Sequence, residues 1–325
     1  MSIPETEWGA AVAAFEQADR VALACHVGPD GDALGSMLAL GLALRARGVQ
    51  VTASWGSKPF SPPRQYDFLA GLDLLVPPEQ VDEAPPLMAT FDAGSLDRIG
   101  SLEPNARAAG ALVVVDHHAS NDHFGTVNLI DPESAASAVL VHELLGRLGA
   151  KLDRDIATCL YVGLVTDTGQ FKYRNTTPSV HQVAADLLSH GVPQDDIGRI
   201  IYDTHPVGYL RLASVVLDRL THRPEAKMVW SWFSQQDLVK AGCEMEDTDA
   251  MIDLIRTADV ADVAALVKQH DDGAWKVSMR SKGSTDVGAF CSAQGGGGHA
   301  LAAGYTSDQQ DPAVIAEQIV TALRR

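Results

Sequence analysis

The apolar positions in the first half of the chain predict strands and helices that alternate. Residues 21–25 form a short apolar run followed by turn residues, as expected for a buried strand. An apolar helix is predicted over about residues 33–47, where Gly48 ends it, and residues 49–54 follow as a second strand. This order of strand, helix and strand is typical of a parallel sheet.

The same alternation continues after the second strand. Further strands are predicted over residues 87–91 and 111–115, and helices over residues 8–17, 134–148 and 155–169. The sequence therefore predicts an α/β fold whose N-terminal part is a parallel sheet flanked by helices.

The pattern changes after about residue 205, where we expect a domain boundary. The predicted domains are residues 1–205, a linker at residues 206–225, and a smaller C-terminal α/β domain with a mixed sheet at residues 226–325. The elements predicted in this half are a connecting helix at 209–220, a strand at 228–233, a hairpin of strands 260–269 and 275–280, and a terminal helix at 312–325.

The chain is acidic, with 25 basic and 42 acidic residues and a formal net charge of −17. This charge argues against a long nucleic-acid duplex as the main partner, because proteins that bind duplexes usually present a basic face. It is compatible with a small phosphorylated ligand, because cations bound to some of the acidic residues would reverse the local field.

The N-terminal segment and the cysteines indicate the compartment. Residues 1–19 contain no lysine or arginine, and the apolar stretch at residues 33–44 is too short to span a bilayer. We therefore expect a cytoplasmic protein without a membrane segment. Its cysteines form no Cys-x-x-Cys pair and are expected to be reduced: Cys25, Cys159, Cys243 and Cys291.

Candidate metal ligands follow the first and third predicted strands. His26-x-x-x-Asp30-x-Asp32 places one imidazole and two carboxylates in the loop after the first strand. These ligands suit Mn²⁺, Fe²⁺ or Zn²⁺, although the same residues could form a turn in which Asp32 caps the following helix. Asp92 ends the third strand, where a single aspartate could also be a turn residue.

Two further clusters carry ionisable side chains. Asp116-His117-His118 follows the strand at residues 111–115, and such groups are costly to bury unless they are paired or bind metal. The alternative is a solvated loop that continues to His123. Asp167 lies at the C-terminal end of a predicted helix, where the helix dipole disfavours an acid and a cation would compensate; it could also be exposed in a turn.

These clusters are predicted to meet at one edge of the parallel sheet, where ligands bind in open α/β folds. Together they supply enough ligands for two metal ions. A bridging carboxylate would hold such ions about 3.5–4 Å apart, the arrangement of two-metal hydrolases.

The ordered motifs resemble those of the DHH phosphoesterase superfamily. They are joined by the segment Gly296-Gly297-Gly298-His299, which is similar to the glycine motif of the DHH-associated C-terminal domain. Length and layout are most similar to the nano-RNase/pAp phosphatase branch. The resemblance implies cleavage of short oligoribonucleotides or linear dinucleotides, and removal of the 3′-phosphate of 3′-phosphoadenosine 5′-phosphate (pAp). Some members of this branch also act on cyclic dinucleotides.

The resemblance also implies residue roles and a cofactor. Two Mn²⁺ ions would share Asp92 as a bridging ligand. Asp116 would orient His117, and His118 would contact the scissile phosphate. The other ligands would be His26 and Asp30 for the first ion, and Asp32, His117 and Asp167 for the second.

The same resemblance implies that the C-terminal domain recognises the nucleotide. Arg280 would pair with a phosphate or stack on a base, and His299 would add a contact. Gly296, Gly297 and Gly298 would let backbone N–H groups approach a phosphate closely. On composition alone, Arg280 could equally be a surface residue and the glycine run a flexible loop.

Two other functions share part of this pattern. An inorganic pyrophosphatase would have the N-terminal motifs with a different C-terminal domain, and a nucleotide-binding regulator would have a dormant metal site. The expected partners are small nucleotides or short oligoribonucleotides, and the resemblance implies a homodimer.

Overall fold

The computed structural model describes residues 3–58 and 60–324 and divides into two compact units. The first unit spans Met1–Asp203 and the second spans Thr204–Arg325. Arg325, at the end of the predicted terminal helix, is outside the described residues.

The first unit is built on a parallel sheet. Its five strands are β1 (Arg20–Cys25), β2 (Gln50–Ser54), β3 (Met88–Phe91), β4 (Leu112–Asp116) and β5 (Val127–Ile130). They lie in the order β2-β1-β3-β4-β5, and each neighbouring pair is parallel. Residues of β1 alternate between two apolar cores, one on each face of the sheet, which explains its continuous apolar run.

Helices cover this sheet, and the predicted α/β fold of the first unit is confirmed. Its helices are α1 (Glu5–Gln17), α2 (Gly31–Ala46), α3 (Glu103–Ala108), α4 (Ser137–Arg147), α5 (Arg154–Asp167), α6 (Pro178–Ser189) and α7 (Gln194–Tyr202). No helix among the residues that the structure describes is long and apolar enough to cross a membrane.

Helix α2 is the centre of this core. Its residues from Gly31 to Leu44 are all buried, which is why it is apolar on every side. It packs closely on α5 because Gly35 has no side chain: a Cβ at this position would lie 2.3 Å from the carbonyl oxygen of Cys159. This contact packs the first part of α2 against the middle of α5.

The second unit contains a six-stranded mixed sheet, as predicted. Its strands are β6 (Thr221–Arg223), β7 (Met228–Phe233), β8 (Val263–Gln269), β9 (Trp275–Ser281), β10 (Gly297–His299) and β11 (Ala302–Ser307). The order is β10-β11-β9-β8-β7-β6, in which only β7 and β8 pair in parallel. The helices are α8 (Val207–Asp218), α9 (Gln235–Ala241), α10 (Met251–Arg256), α11 (Val287–Ala293) and α12 (Pro312–Leu323).

The segment 206–225, expected as a linker, is folded as part of the second unit. It forms α8 and β6, and β6 pairs with β7. Leu212 and Val216 of α8 are fully buried in a core with Val229 and Phe233. The apolar face of α8 therefore makes this segment a structural element and not a spacer.

Replacing Gly35 by alanine is expected to destabilise the first unit. The added methyl would force α2 and α5 apart, and overpacking of this kind costs about 1–3 kcal/mol in the free energy of unfolding. Urea unfolding followed by circular dichroism measures this loss. Gly9→Ala is the matched control, because Gly9 is also helical but has no atom within 4 Å of the place that a Cβ would take; equal behaviour of the two variants would contradict the packing argument.

Candidate metal centre

The carboxyl ends of three adjacent strands bring polar side chains to one edge of the sheet. Cys25 pairs with Phe91, and Phe91 pairs with Val115, so β1, β3 and β4 end at the same level. The residue after each of these paired positions is His26, Asp92 or Asp116. Sheet register alone therefore places an imidazole and two carboxylates side by side.

Two helix ends deliver the remaining carboxylates. Asp30 is the N-cap of α2, and its side chain accepts hydrogen bonds from the N–H groups of Asp32 and Ala33. Asp167 is the last residue of α5. Gly163 of α5 faces Asp32 of α2, since a Cβ there would lie 2.7 Å from the Asp32 carboxylate.

Asp92 lies at the centre of this arrangement. One of its oxygens (Oδ2) is 3.5 Å from Nε2 of His26, and the other (Oδ1) is 3.3 Å from Nε2 of His117. Nε2 of His26 is also 3.7 Å from Asp30, and Nε2 of His117 is 3.0 Å from Asp167 and 4.0 Å from Asp32. The two oxygens of one carboxylate thus face two separate groups of ligands.

Two overlapping triads could each hold a metal ion. They are His26, Asp30 and Asp92, and Asp32, Asp92 and His117, and the ligand atoms within each lie within 4.8 Å of one another. Asp32 and Asp92 are 0% and 3% exposed, so their charges are removed from water. Imidazole and carboxylate ligands at this density fit divalent cations of the first transition row.

The pKa values reflect carboxylates that are crowded together. Burial, together with the charges of Asp92 and Asp167, raises the pKa of the Asp32 carboxyl well above its ordinary value. Burial also raises the pKa of Asp167, to about 6. Burial opposes ionisation of Asp92 as well, but His117 and His26 hold its pKa well below the ordinary value. A divalent cation would relieve this repulsion, and the residues present therefore fit such an ion.

The N-terminus of α4 supports the buried carboxylates. The backbone N–H groups of Ser137 and Ala138 donate to the two oxygens of Asp32 at 2.6 and 2.8 Å. The hydroxyl of Ser36 donates to the same carboxylate at 3.2 Å, and the hydroxyl of Ser137 donates to Asp92 at 3.2 Å. The positive end of the helix dipole thus faces the ligand set.

Asp116 contacts His118, although the family resemblance implied that it orients His117. Oδ1 of Asp116 lies 2.7 Å from Nδ1 of His118, and Oδ2 accepts a hydrogen bond from Asn121 at 2.6 Å. Nδ1 of His117 lies 3.3 Å from the carbonyl oxygen of Ser134. The difference arises because Asp116 is the last residue of β4, which points its side chain away from that of the next residue, His117.

Asp92 has a backbone conformation that is uncommon for a residue with a side chain. Its φ is +54°, in the left-handed region. The buried side chain contacts of Asp92 hold this conformation, which directs the carboxylate between the two histidines. Left-handed residues of this kind concentrate at functional sites.

In the second unit, Arg280 and His299 lie in one row across three strands. Arg280 of β9 pairs with Ala302 of β11, and Ala302 pairs with His299 of β10. Directly paired residues of antiparallel strands point to the same face, so the methyl group of Ala302 lies between two long side chains roughly 10 Å apart at the backbone. Arg280 and His299 are not adjacent in the sequence, and it is the pairing of the three strands that places them in one row.

The glycine run has a structural reason that was not predicted from the sequence. A Cβ at Gly296 would lie 2.1 Å from the carbonyl oxygen of Gly304, and a Cβ at Gly298 would lie 2.5 Å from that of Ala302. Gly298 also has a φ of +134°. These two glycines allow β10 to pack on β11, whereas Gly297 has open space around it.

Comparison with known proteins agrees with this geometry. Residues 20–164 match the model for the DHH family, N-terminal domain, and residues 227–324 match that for the DHHA1 domain. The chain is 34% identical over 307 residues to the bifunctional oligoribonuclease and PAP phosphatase NrnA of Thermus thermophilus, covering 93% of this chain and 88% of that protein. The chain belongs to the DHH phosphoesterase family.

Other relatives extend this result. The NrnA protein of Bacillus subtilis is 26% identical over 301 residues, covering 90% of this chain and 92% of that protein. The crystal structure of an exopolyphosphatase-related protein from Bacteroides fragilis superposes with a TM-score of 0.91 at 24% identity, covering 99% and 97% of the two chains, which shows that the fold is shared.

Membership of the DHH family makes this chain a metal-dependent hydrolase of phosphodiester and phosphate bonds. A dormant regulator is therefore not supported. A pyrophosphatase is not favoured either, because the DHHA1 model accounts for residues 227–324.

Several supporting residues of this DHH phosphoesterase were not predicted from the sequence. Ser36, Ser137 and Asn121 all donate to a buried aspartate of the site. Ser36 lies one helical turn after Asp32, a spacing that could have suggested the contact. Ser137 and Asn121 gave no such signal, because their contacts depend on how the chain folds back.

Replacing Asp92 by alanine is expected to abolish tight binding of divalent cations to both triads of the DHH phosphoesterase. Losing a partner that supports a metal ligand weakens binding about 10- to 100-fold, so losing a shared ligand is expected to exceed about 100-fold. Titration of the metal-free protein with Mn²⁺ in a calorimeter measures the loss. Asp195→Ala, an exposed acid of α7, is the control; retention of two tight ions by Asp92→Ala would contradict the shared role.

Proposed function

We propose that this DHH phosphoesterase is a two-metal phosphohydrolase of small nucleotides. It cleaves short oligoribonucleotides or linear and cyclic dinucleotides, and it removes the 3′-phosphate of pAp. The observation that carries the proposal is the position of the Asp92 carboxylate, which belongs to both triads. One of its oxygens faces His26 and the other faces His117. The activity printed in the names of the Thermus and Bacillus relatives supports the choice of substrate.

The ligand set of this proposal uses both triads. His26 and Asp30 would hold one ion, Asp32, His117 and Asp167 would hold the other, and Asp92 would be shared between them. Divalent cations bound there would supply Lewis acidity, which would make water a better nucleophile and offset the charge that builds on the phosphate oxygens. We propose Mn²⁺ as the cation on the basis of the family resemblance, and the six imidazole and carboxylate ligands are compatible with it.

The protein's own residues position the reacting groups. His118, hydrogen-bonded to Asp116, donates to an oxygen of the scissile phosphate. Burial alone would lower the pKa of His118, but the bond to Asp116 and the charge of Asp92 raise it above its ordinary value, which favours a donor. Water adds to phosphorus in line and loses a proton, the bond between phosphorus and the ribose oxygen breaks, and the ribose oxygen takes up one proton, so that it leaves as a hydroxyl.

The second unit recognises the nucleotide in this proposal. Arg280 and His299, on either side of Ala302, bind a phosphate or base of the substrate, and the backbone around Gly296, Gly297 and Gly298 approaches it closely. A planar guanidinium suits paired hydrogen bonds to phosphate. These cationic and polar groups offset the negative charge of the chain where the substrate binds.

We also propose that the enzyme is a cytoplasmic homodimer. The resemblance to the family supports the dimer, and the four buried, unpaired cysteines support a reducing compartment. Light scattering coupled to size-exclusion chromatography measures the mass of the particle; a monomer of 34.5 kDa at all concentrations would contradict the dimer.

Turnover of four substrates in parallel tests the proposed function. With Mn²⁺, we expect phosphate release from pAp and cleavage of a linear dinucleotide such as pApA, with slower or no release from pyrophosphate. A cyclic dinucleotide completes the set, and protein treated with a chelator is the control. Pyrophosphate hydrolysed far faster than either nucleotide would contradict the proposal.

Replacing Arg280 by alanine is expected to raise KM for pAp about 10-fold or more while kcat changes less than about threefold, because a charged hydrogen bond to substrate contributes about 1.5–3 kcal/mol. Steady-state kinetics on pAp measures both constants. Lys276→Ala is the matched control, since Lys276 is an exposed cation four residues earlier on β9. Equal changes in KM for both variants would remove Arg280 from the substrate site.

A further inference from the structure

Asn121 lies in the loop after β4, and both its side chain and its backbone make hydrogen bonds. Its side chain Nδ2 donates to Oδ2 of Asp116 at 2.6 Å and to the carbonyl oxygen of Ala93 at 3.1 Å. Its Oδ1 accepts from the backbone N–H of His123 at 2.7 Å, and its own N–H donates to the carbonyl oxygen of His118 at 3.1 Å. Both donor hydrogens and the acceptor of the amide are therefore in use.

The carboxylate that Asn121 contacts is fully buried and has two partners. Asp116 is 0% exposed, with Oδ1 against Nδ1 of His118 and Oδ2 against Asn121. A carboxylate held at both oxygens cannot rotate without leaving a buried charge unpaired. Because an ionised carboxylate only accepts hydrogen bonds, Nδ1 of His118 carries the hydrogen, and the ring orientation is fixed.

The second bond of Asn121 reaches the segment that carries the shared ligand. Ala93 directly follows Asp92, and Nδ1 of His118 lies 3.6 Å from Oδ1 of Asp92. The N–H of Asp122 adds a parallel bond to the carbonyl oxygen of Gly94 at 3.2 Å. Asn121 therefore connects the strand end that bears Asp92 with the loop that bears His118.

We propose that Asn121 is a positioning residue for phosphate-ester hydrolysis, acting through Asp116 to fix His118 relative to Asp92. This inference rests on the proposed function, because it assigns His118 to the substrate. The side chain of Asn121 bonds to Asp116, Ala93 and His123, none of which is a proposed metal ligand. Its effect is carried by the N–H that it donates to Asp116. We therefore expect Asn121 to change the rate of the chemical step and not the affinity for metal ions.

Two substitutions separate this role from a role in loop shape. Asn121→Ala removes the amide, whereas Asn121→Asp keeps its shape and the acceptor for His123 but faces Asp116 with an oxygen. We expect both variants to lower kcat about 10- to 100-fold, because misplacing a catalytic group by about 1 Å can cost about 100-fold in rate. We expect KM to change less than about threefold and Mn²⁺ affinity to stay near the wild-type value, while the melting temperature falls in both variants because a buried oxygen of Asp116 loses its donor.

The control and the decisive measurement use the same assay. Asn105→Ala removes a partly buried amide whose Nδ2 donates to the carbonyl oxygen of Asp82, and it should leave kcat unchanged. In a His118→Ala background, Asn121→Ala should have no further effect, within about twofold, because the proposed route through Asp116 and His118 is gone. Additive losses in this double-mutant cycle would overturn the proposal.

The remaining outcomes also decide the matter. Wild-type kcat in Asn121→Asp would show that shape alone is needed, and failure of both Asn121 variants to fold would make Asn121 a structural residue; either result overturns the proposal. If wild-type protein hydrolyses neither pAp nor pApA with Mn²⁺, the proposed function itself is wrong and this inference falls with it. If the wild-type protein hydrolyses pAp or pApA and the Asn121 variants have the same kcat, the positioning role is wrong and the proposed function stands.

Discussion

The repulsion between buried carboxylates is the constraint on which the rest of the first unit depends. Asp30, Asp32, Asp92 and Asp167 meet where parallel strands end and where α2 begins and α5 ends. Asp32 and Asp92 are buried, whereas about half of the Asp30 side chain is exposed. Like charges this close together, two of them out of water, are strongly unfavourable unless opposite charges offset them. His26, His117 and the N-terminus of α4 provide part of the compensation, and a divalent cation would provide the rest. The fold thus forms a site whose uncompensated negative charge favours a bound cation.

The parts of this site that the sequence predicted are those that depend on local pattern. Apolar strands followed at once by His26, Asp92 and Asp116 predicted a shared sheet edge, because parallel strands align their carboxyl ends. Contacts that depend on tertiary packing could not be predicted. Asp116 contacts His118 and not His117, because side chains alternate along β4. Helix α8 is part of the folded unit and not a linker, because its apolar face packs against β7.

The two units divide the proposed chemistry between them. The first holds buried acids whose local field suits cations, and the second presents Arg280 and His299 on one face of its sheet. The net charge of −17 therefore describes the whole chain but not the surroundings of the substrate. For the same reason, the overall charge argues against a long duplex as the main partner but does not indicate which small nucleotide is bound.

The central claim is that one carboxylate serves two metal ions. A crystal structure of the protein grown with Mn²⁺, with anomalous diffraction recorded at the manganese edge, tests it most directly. We predict two anomalous peaks about 3.5–4 Å apart, each at coordination distance from a different oxygen of Asp92, one beside His26 and the other beside His117. A single peak, or two peaks that do not share Asp92, would contradict the account.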